Sequence, residues 1–214
     1  MATASLTPSE SSDEARLAVF GLSSQIFHDG LRTGTSRAAN RSTLALTTSA
    51  GTDVYHDGME DLHRILKPLG WTLIHVEGQP RLRHPDGVVS FTISSGINVG
   101  KANARVPRTR KKGKATRSSL AAPELPAGLF DDPQAKIAQA AKRAPFYFLL
   151  CERVTDGGSG LILEFAQPAI MTSGGSVNDW KDRITVPFLA LEGDLSVFDQ
   201  PDDDNGIDVP IEPR

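Results

Sequence analysis

The run Phe146–Val154, Phe-Tyr-Phe-Leu-Leu-Cys-Glu-Arg-Val, most constrains what this chain can fold into. It is the most apolar stretch in the sequence, and it is too short for a membrane span, which needs about 20 apolar residues. Its length and aromatic content are those of a strand, and a strand with so little polar alternation belongs in the middle of a sheet. The residues after it supply neighbours. Thr155–Gly160 reads as a hairpin turn, and Leu161–Phe165 returns beside the central strand. Pro168–Met171 continues raggedly, Gly174-Gly175 turns again, and Val177–Lys181 reads as a turn of helix at most. Arg183–Leu189 is the last strand, with Ile184, Val186 and Phe188 on one face, and Pro187 places it at an edge because proline cannot donate to a ladder.

The front half carries helical signals. In Glu14–His28, Leu17, Phe20, Ser24 and Phe27 form an amphipathic stripe, and Gly30 and Gly34 suit its end. Val54–Lys67 has helical spacing at Val54, Met59, Leu62, Ile65 and Leu66, and Pro68-Leu69-Gly70 stops it. Trp71–Glu77 and Val88–Ser94 alternate as strands and are expected to pair, with a weaker segment, Arg81–His84, between the turns Gly78-Gln79-Pro80 and Pro85-Asp86-Gly87. Pro133–Arg143 has high helix propensity. The sum predicts an α+β fold: a single domain over 14–191, with an antiparallel sheet of about five strands and two or three helices on one face. Residues 1–13 read as a disordered N-terminus and 192–214 as an acidic tail containing Asp199, Asp202, Asp203, Asp204 and Asp208.

Between the two halves lies a basic connecting loop, 101–117, with Lys101, Arg105, Arg108, Arg110, Lys111, Lys112, Lys114 and Arg117 and no acidic residue. Clustered flexible cations are the electrostatic footprint of a phosphate-backbone contact, because each contact releases condensed counterions. The net charge of −3 means that the chain as a whole is no basic coat, so any such contact is local. No aromatic residue interleaves with the charges, so the run alone offers no platform for stacked bases. These residues point to a binding protein whose basic loop meets nucleic acid or a nucleoprotein partner. A second reading is a protein-interaction or inhibitor module whose acidic tail mimics phosphate, and a bland reading is a solvated loop, or one that docks on an acidic surface such as that tail. A cytosolic look, tails at both ends and no catalytic signature are a style common among accessory proteins of phage and mobile elements.

Enzymatic signatures are weak. A third reading, a metal-dependent hydrolase or nuclease, would use Asp86, Glu152 or His84, but no Glu-x-Lys follows Asp86 on the next strand. The histidines are His28, His56, His63, His75 and His84, and none has a companion at zinc-ligand spacing. His56 and His63 are separated by about 10.5 Å of helical rise, too far to share one ion directly. No catalytic residue, metal or cofactor is predicted. The lone Cys151 sits in the apolar run and reads as a buried small hydrophobe, with no intrachain disulfide possible. The N-terminus lacks the basic and apolar regions of a signal peptide, so a soluble, cytoplasmic protein is expected, without membrane contact and with self-association open. Trp180 reads as a lid on the sheet.

Overall fold

A computed structural model describes residues 8–100, 106–121, 144–154 and 159–191. The expected strand Phe146–Val154, here β5, forms with those ends. Its alternate residues feed two different cores. Tyr147, Leu149 and Cys151 join the cluster on one sheet face, while Phe146, Phe148 and Leu150 join a smaller cluster on the other. Both faces are covered, which is why the run is apolar at nearly every position.

The other strands are β1 (Thr72–Val76), β2 (Gln79–Arg83), β3 (Ser90–Ile97), β4 (Arg108–Thr109), β6 (Gly160–Met171) and β7 (Val177–Ala190). The sheet has seven strands in the order β1-β2-β3-β5-β6-β7, with β4 paired to β3. It is therefore larger than expected, and it is mixed: β3 and β5 run parallel, with Ser90 beside Phe146 and Ser95 beside Cys151. A parallel pair needs a long crossover connection rather than a tight turn, and the connection from β3 to β5 contains the basic run. Trp71–Glu77 and Val88–Ser94 do not pair with each other, because β2 lies between β1 and β3.

Helices α1 (Pro8–Ala18), α2 (Ser24–Ala39) and α3 (Ser49–Leu66) cover the face with the larger core. Leu17, Phe27, Leu31 and Leu62 are fully buried there against Phe91, Leu149 and Phe165. The Tyr147 and Phe165 rings stack at 4.7 Å, and Phe91 meets Phe165 edge-on at 5.5 Å. The single helix expected over Glu14–His28 is two helices, because Gly21 takes a left-handed φ of 65° and turns the chain. Helix α1 begins at Pro8, inside the stretch expected to lack structure. Gly30 and Gly34 are interior to α2 and do not end it; a Cβ on Gly34 would lie 2.7 Å from the Asp53 carbonyl of α3. These glycines let the two helices approach closely.

Strand β7 is a sheet edge, as Pro187 implies, and it extends back through Val177–Lys181, which is not helical. The exposed backbone of this edge is capped by helix side chains. Arg16 donates to the Arg183 carbonyl at 3.0 Å and pairs with Asp182, Thr185 N–H donates to Asp13 at 3.0 Å, and His28 Nε2 meets the Pro187 carbonyl at 2.8 Å. Among the described residues, no helix is long and apolar enough to cross a membrane. The helix expected at 133–143 and the acidic tail lie outside the described residues.

Candidate nucleic-acid interface

The backbone before the basic run, at Val99 and Gly100, and the described part of the run from Pro107 on are held at several points. Glu152 and Glu164 project from neighbouring strands on the face with the smaller core. Val99 N–H donates to Glu152 Oε2 at 2.7 Å, and Gly100 N–H donates to Glu164 Oε2 at 2.9 Å. Glu164 is 1 % exposed and also accepts from Arg183, Nε at 2.5 Å and Nη2 at 3.0 Å. Further along, Trp180 packs on the cluster around Phe148 and donates from Nε1 to the Pro107 carbonyl at 2.8 Å. Trp180 is itself a residue of β7, and its ring packs against the smaller core. Strand β4 then pairs Arg108 and Thr109 with Ile97 and Gly96, and Thr109 Oγ1 accepts from Val177 N–H at 3.0 Å. Lys112 N–H donates to the Gly175 carbonyl at 2.8 Å, and α4 (Lys114–Ala121) follows.

This anchoring sorts the predicted site residues. Pro107 and Thr109 face inward, so Arg108 and Arg110 face solvent, as does Lys111. Lys114 and Arg117 are exposed on α4, with Lys114 3.8 Å from Glu77. Lys112 is turned inward and half-buried: its Nζ donates to Ser94 Oγ at 2.5 Å and lies 5.3 Å from the Phe148 ring centroid. Burial, with a smaller contribution from Arg110, pushes its amine down to about 8. Lys101 and Arg105 lie outside the described residues.

Arg108, Arg110, Lys111 and Lys112 line a cleft of about 950 Å³; Lys114 and Arg117 do not. The end of β3 from Ile93 to Ile97 and Cys151–Arg153 of β5 also line it, and the start of α3 supplies Thr48, Thr52, Tyr55 and His56. Arg153, Tyr55 and His56 were not expected beside the basic run, because each reaches the cleft from a segment remote in the chain.

Charge pairing separates the cleft from much of the remaining surface. Arg37, Arg41, Arg64 and Arg183 each pair with a carboxylate. Among the described residues, none of Arg108, Arg110, Lys111, Lys112 and Arg153 forms an ion pair; Arg108 reaches only Ser176 Oγ at 3.4 Å, and Arg153 the Ala38 carbonyl at 3.4 Å and, at longer range, the charge of Asp53. Glu152 lines the cleft but is engaged by the Val99 amide. Unpaired cations gathered in one concavity focus a positive field into it.

The residues considered for metal-dependent chemistry are not assembled. Glu152 lies beside the far end of β3, whereas His84 and Asp86 lie in the turn before that strand. Among the described residues, no three His, Cys, Asp or Glu side chains group to hold a metal ion. Cys151 is buried, which pushes its thiol up to about 12. No protein-family model, curated protein or solved structure matches the chain.

Proposed function

We propose that this protein binds nucleic acid, and that the cleft between β4 and the start of α3 takes a single strand. One observation carries the reading: Arg108, Arg110, Lys111 and Lys112 share a cleft with Arg153, and among the described residues none of the five forms an ion pair. A phosphate backbone is the polyanion that such a set suits, since each contact releases counterions. The cleft's volume of about 950 Å³ is that of a ligand pocket, which favours a strand over a duplex. The opposite wall adds what the basic run lacks. Half-buried Tyr55 and exposed His56 offer ring faces for bases, and the hydroxyl of Thr48 offers a donor to phosphate oxygens.

The test is fluorescence anisotropy with a labelled single-stranded oligonucleotide at low salt. Arg108, Arg110 and Lys111 are exposed, so replacing all three by alanine is expected to leave the thermal midpoint unchanged and weaken binding more than tenfold. Equal affinity in the triple variant, or no binding by the wild type, rejects the reading.

A further inference from the structure

Within the basic run, Lys112 behaves unlike its neighbours. Arg108, Arg110 and Lys111 are exposed, but Lys112 is half-buried while still lining the cleft. We propose that Lys112, positioned by Ser94, forms a subsite for one phosphate group of the bound strand, and that binding there is coupled to protonation of the lysine amine. The proposal rests on the reading that the cleft takes nucleic acid.

An ammonium carries three donors. One is directed to Ser94 Oγ at 2.5 Å, and the Phe148 ring, 5.3 Å away, attracts the charge through its face. Among the described residues, no carboxylate pairs with Lys112, so an oxygen from a ligand completes its shell. Ser94 itself donates to the Ser95 carbonyl at 3.1 Å, so its hydrogen is committed and it acts as a positioning residue. The Lys112 N–H bond to Gly175, at 2.8 Å, fixes the backbone from which the side chain descends.

The charged surroundings set the direction of the coupling. The lysine's own segment brings Arg108, Arg110 and Lys111, β5 brings Glu152 and Arg153, and α3 brings His56. Strand β3 and the turn at 172–176 bring no charged group. Glu152, the one carboxylate in this set, is hydrogen-bonded to the Val99 amide. Burial and the neighbouring guanidinium of Arg110 therefore both press the amine toward its neutral form, with its midpoint down to about 8. A bound phosphate reverses that pressure. Linkage then requires affinity to be highest below about pH 8 and to fall as pH rises through that value. Arginines remain charged throughout this range and contribute no such dependence.

The experiment uses the full chain and a 5′-fluorescein-labelled single-stranded DNA 15-mer, with anisotropy read at pH 7 and pH 9 and fixed ionic strength. Wild type is expected to lose about tenfold in affinity between the two. Lys112→Met is expected to bind more weakly at pH 7 and to lose that tenfold component. Lys112→Arg, whose charge does not titrate in this range, is expected to keep binding at both values. A flat wild-type profile, or the same tenfold fall in Lys112→Met, overturns the subsite while leaving the cleft reading intact. Inorganic phosphate at millimolar concentration serves as competitor. It is expected to displace the oligonucleotide only weakly, because it meets one contact of many; complete displacement would overturn the assignment to a strand and make free phosphate the ligand. Absence of any oligonucleotide binding at pH 7 and low salt removes both readings.

Discussion

Trp180 Nε1 donates to the carbonyl of Pro107 at 2.8 Å, and this bond ties the basic run to the last strand of the sheet. Strand β4 is only two residues long, so side-chain anchors such as this one do much of the holding. Trp180→Phe keeps an aromatic ring near Phe148 but removes the donor. It is expected to lower stability by about 1–2 kcal/mol in urea unfolding. Amide exchange at Lys112 is expected to quicken by more than the global loss accounts for, which distinguishes local release from general destabilisation.

Glu164→Gln tests the other anchor. The carboxylate is 1 % exposed and serves both Arg183 and the Gly100 amide. Removing its charge leaves a guanidinium near the core without its counter-ion, a change that costs about 3 kcal/mol or more. Chemical denaturation reads the loss directly, and a change below about 1 kcal/mol would show that solvent supports Arg183 instead.

The buried amine of Lys112 has a signature in stability as well as in binding. Its ordinary value of 10.5 is lowered to about 8 in the folded state, so the folded state binds fewer protons between those values. The destabilisation that Lys112 brings is full below pH 8 and is relieved as pH rises toward 10.5. Lys112→Met is therefore expected to be more stable than wild type at pH 7, with the difference shrinking by pH 10. Tyr147, raised to about 12, and Cys151, also raised to about 12, act in the opposite direction but are present in both proteins and cancel in the comparison. Denaturant melts of the two proteins across pH 7 to 10 provide the measurement.

Two glycines in neighbouring helices should respond in opposite ways to the same substitution. Gly51 lies near the start of α3 with nothing within 4 Å of an added Cβ, so Gly51→Ala is expected to stabilise by up to about 1 kcal/mol through helix propensity. Gly34 faces α3 backbone, with the Asp53 carbonyl at 2.7 Å and the Val54 Cα at 2.9 Å. There the clash outweighs propensity, and Gly34→Ala is expected to cost about 1–3 kcal/mol. Thermal melts of the two variants on opposite sides of wild type would confirm the contrast.

Where burial is written into consecutive residues, the fold was legible. Phe146–Val154 became a strand covered on both faces, and Pro187 marked an edge. Two kinds of feature were not legible. The parallel pairing of β3 with β5 joins segments far apart in sequence, and no local pattern encodes it. Val177–Lys181 looked helical or irregular because Asn178, Asp179 and Lys181 break apolar alternation, yet pairing with a bulged stretch of β6 makes it a strand. The candidate site divided in the same way. A run of cations is visible in the sequence, but which of them turns inward is set by β4 and the Gly175 contact. Tyr55, His56 and Arg153 come to the cleft only through tertiary packing.

The salt dependence of strand binding bears most directly on the central claim that the cleft's exposed cations contact phosphates. Each phosphate contact on a single strand contributes about −0.7 to the slope of log affinity against log salt. With Arg108, Arg110 and Lys111 all replaced by alanine, the slope is expected to become shallower than that of wild type by about 2. Parallel lines for the two proteins would contradict the account and place the phosphate contacts elsewhere on the molecule.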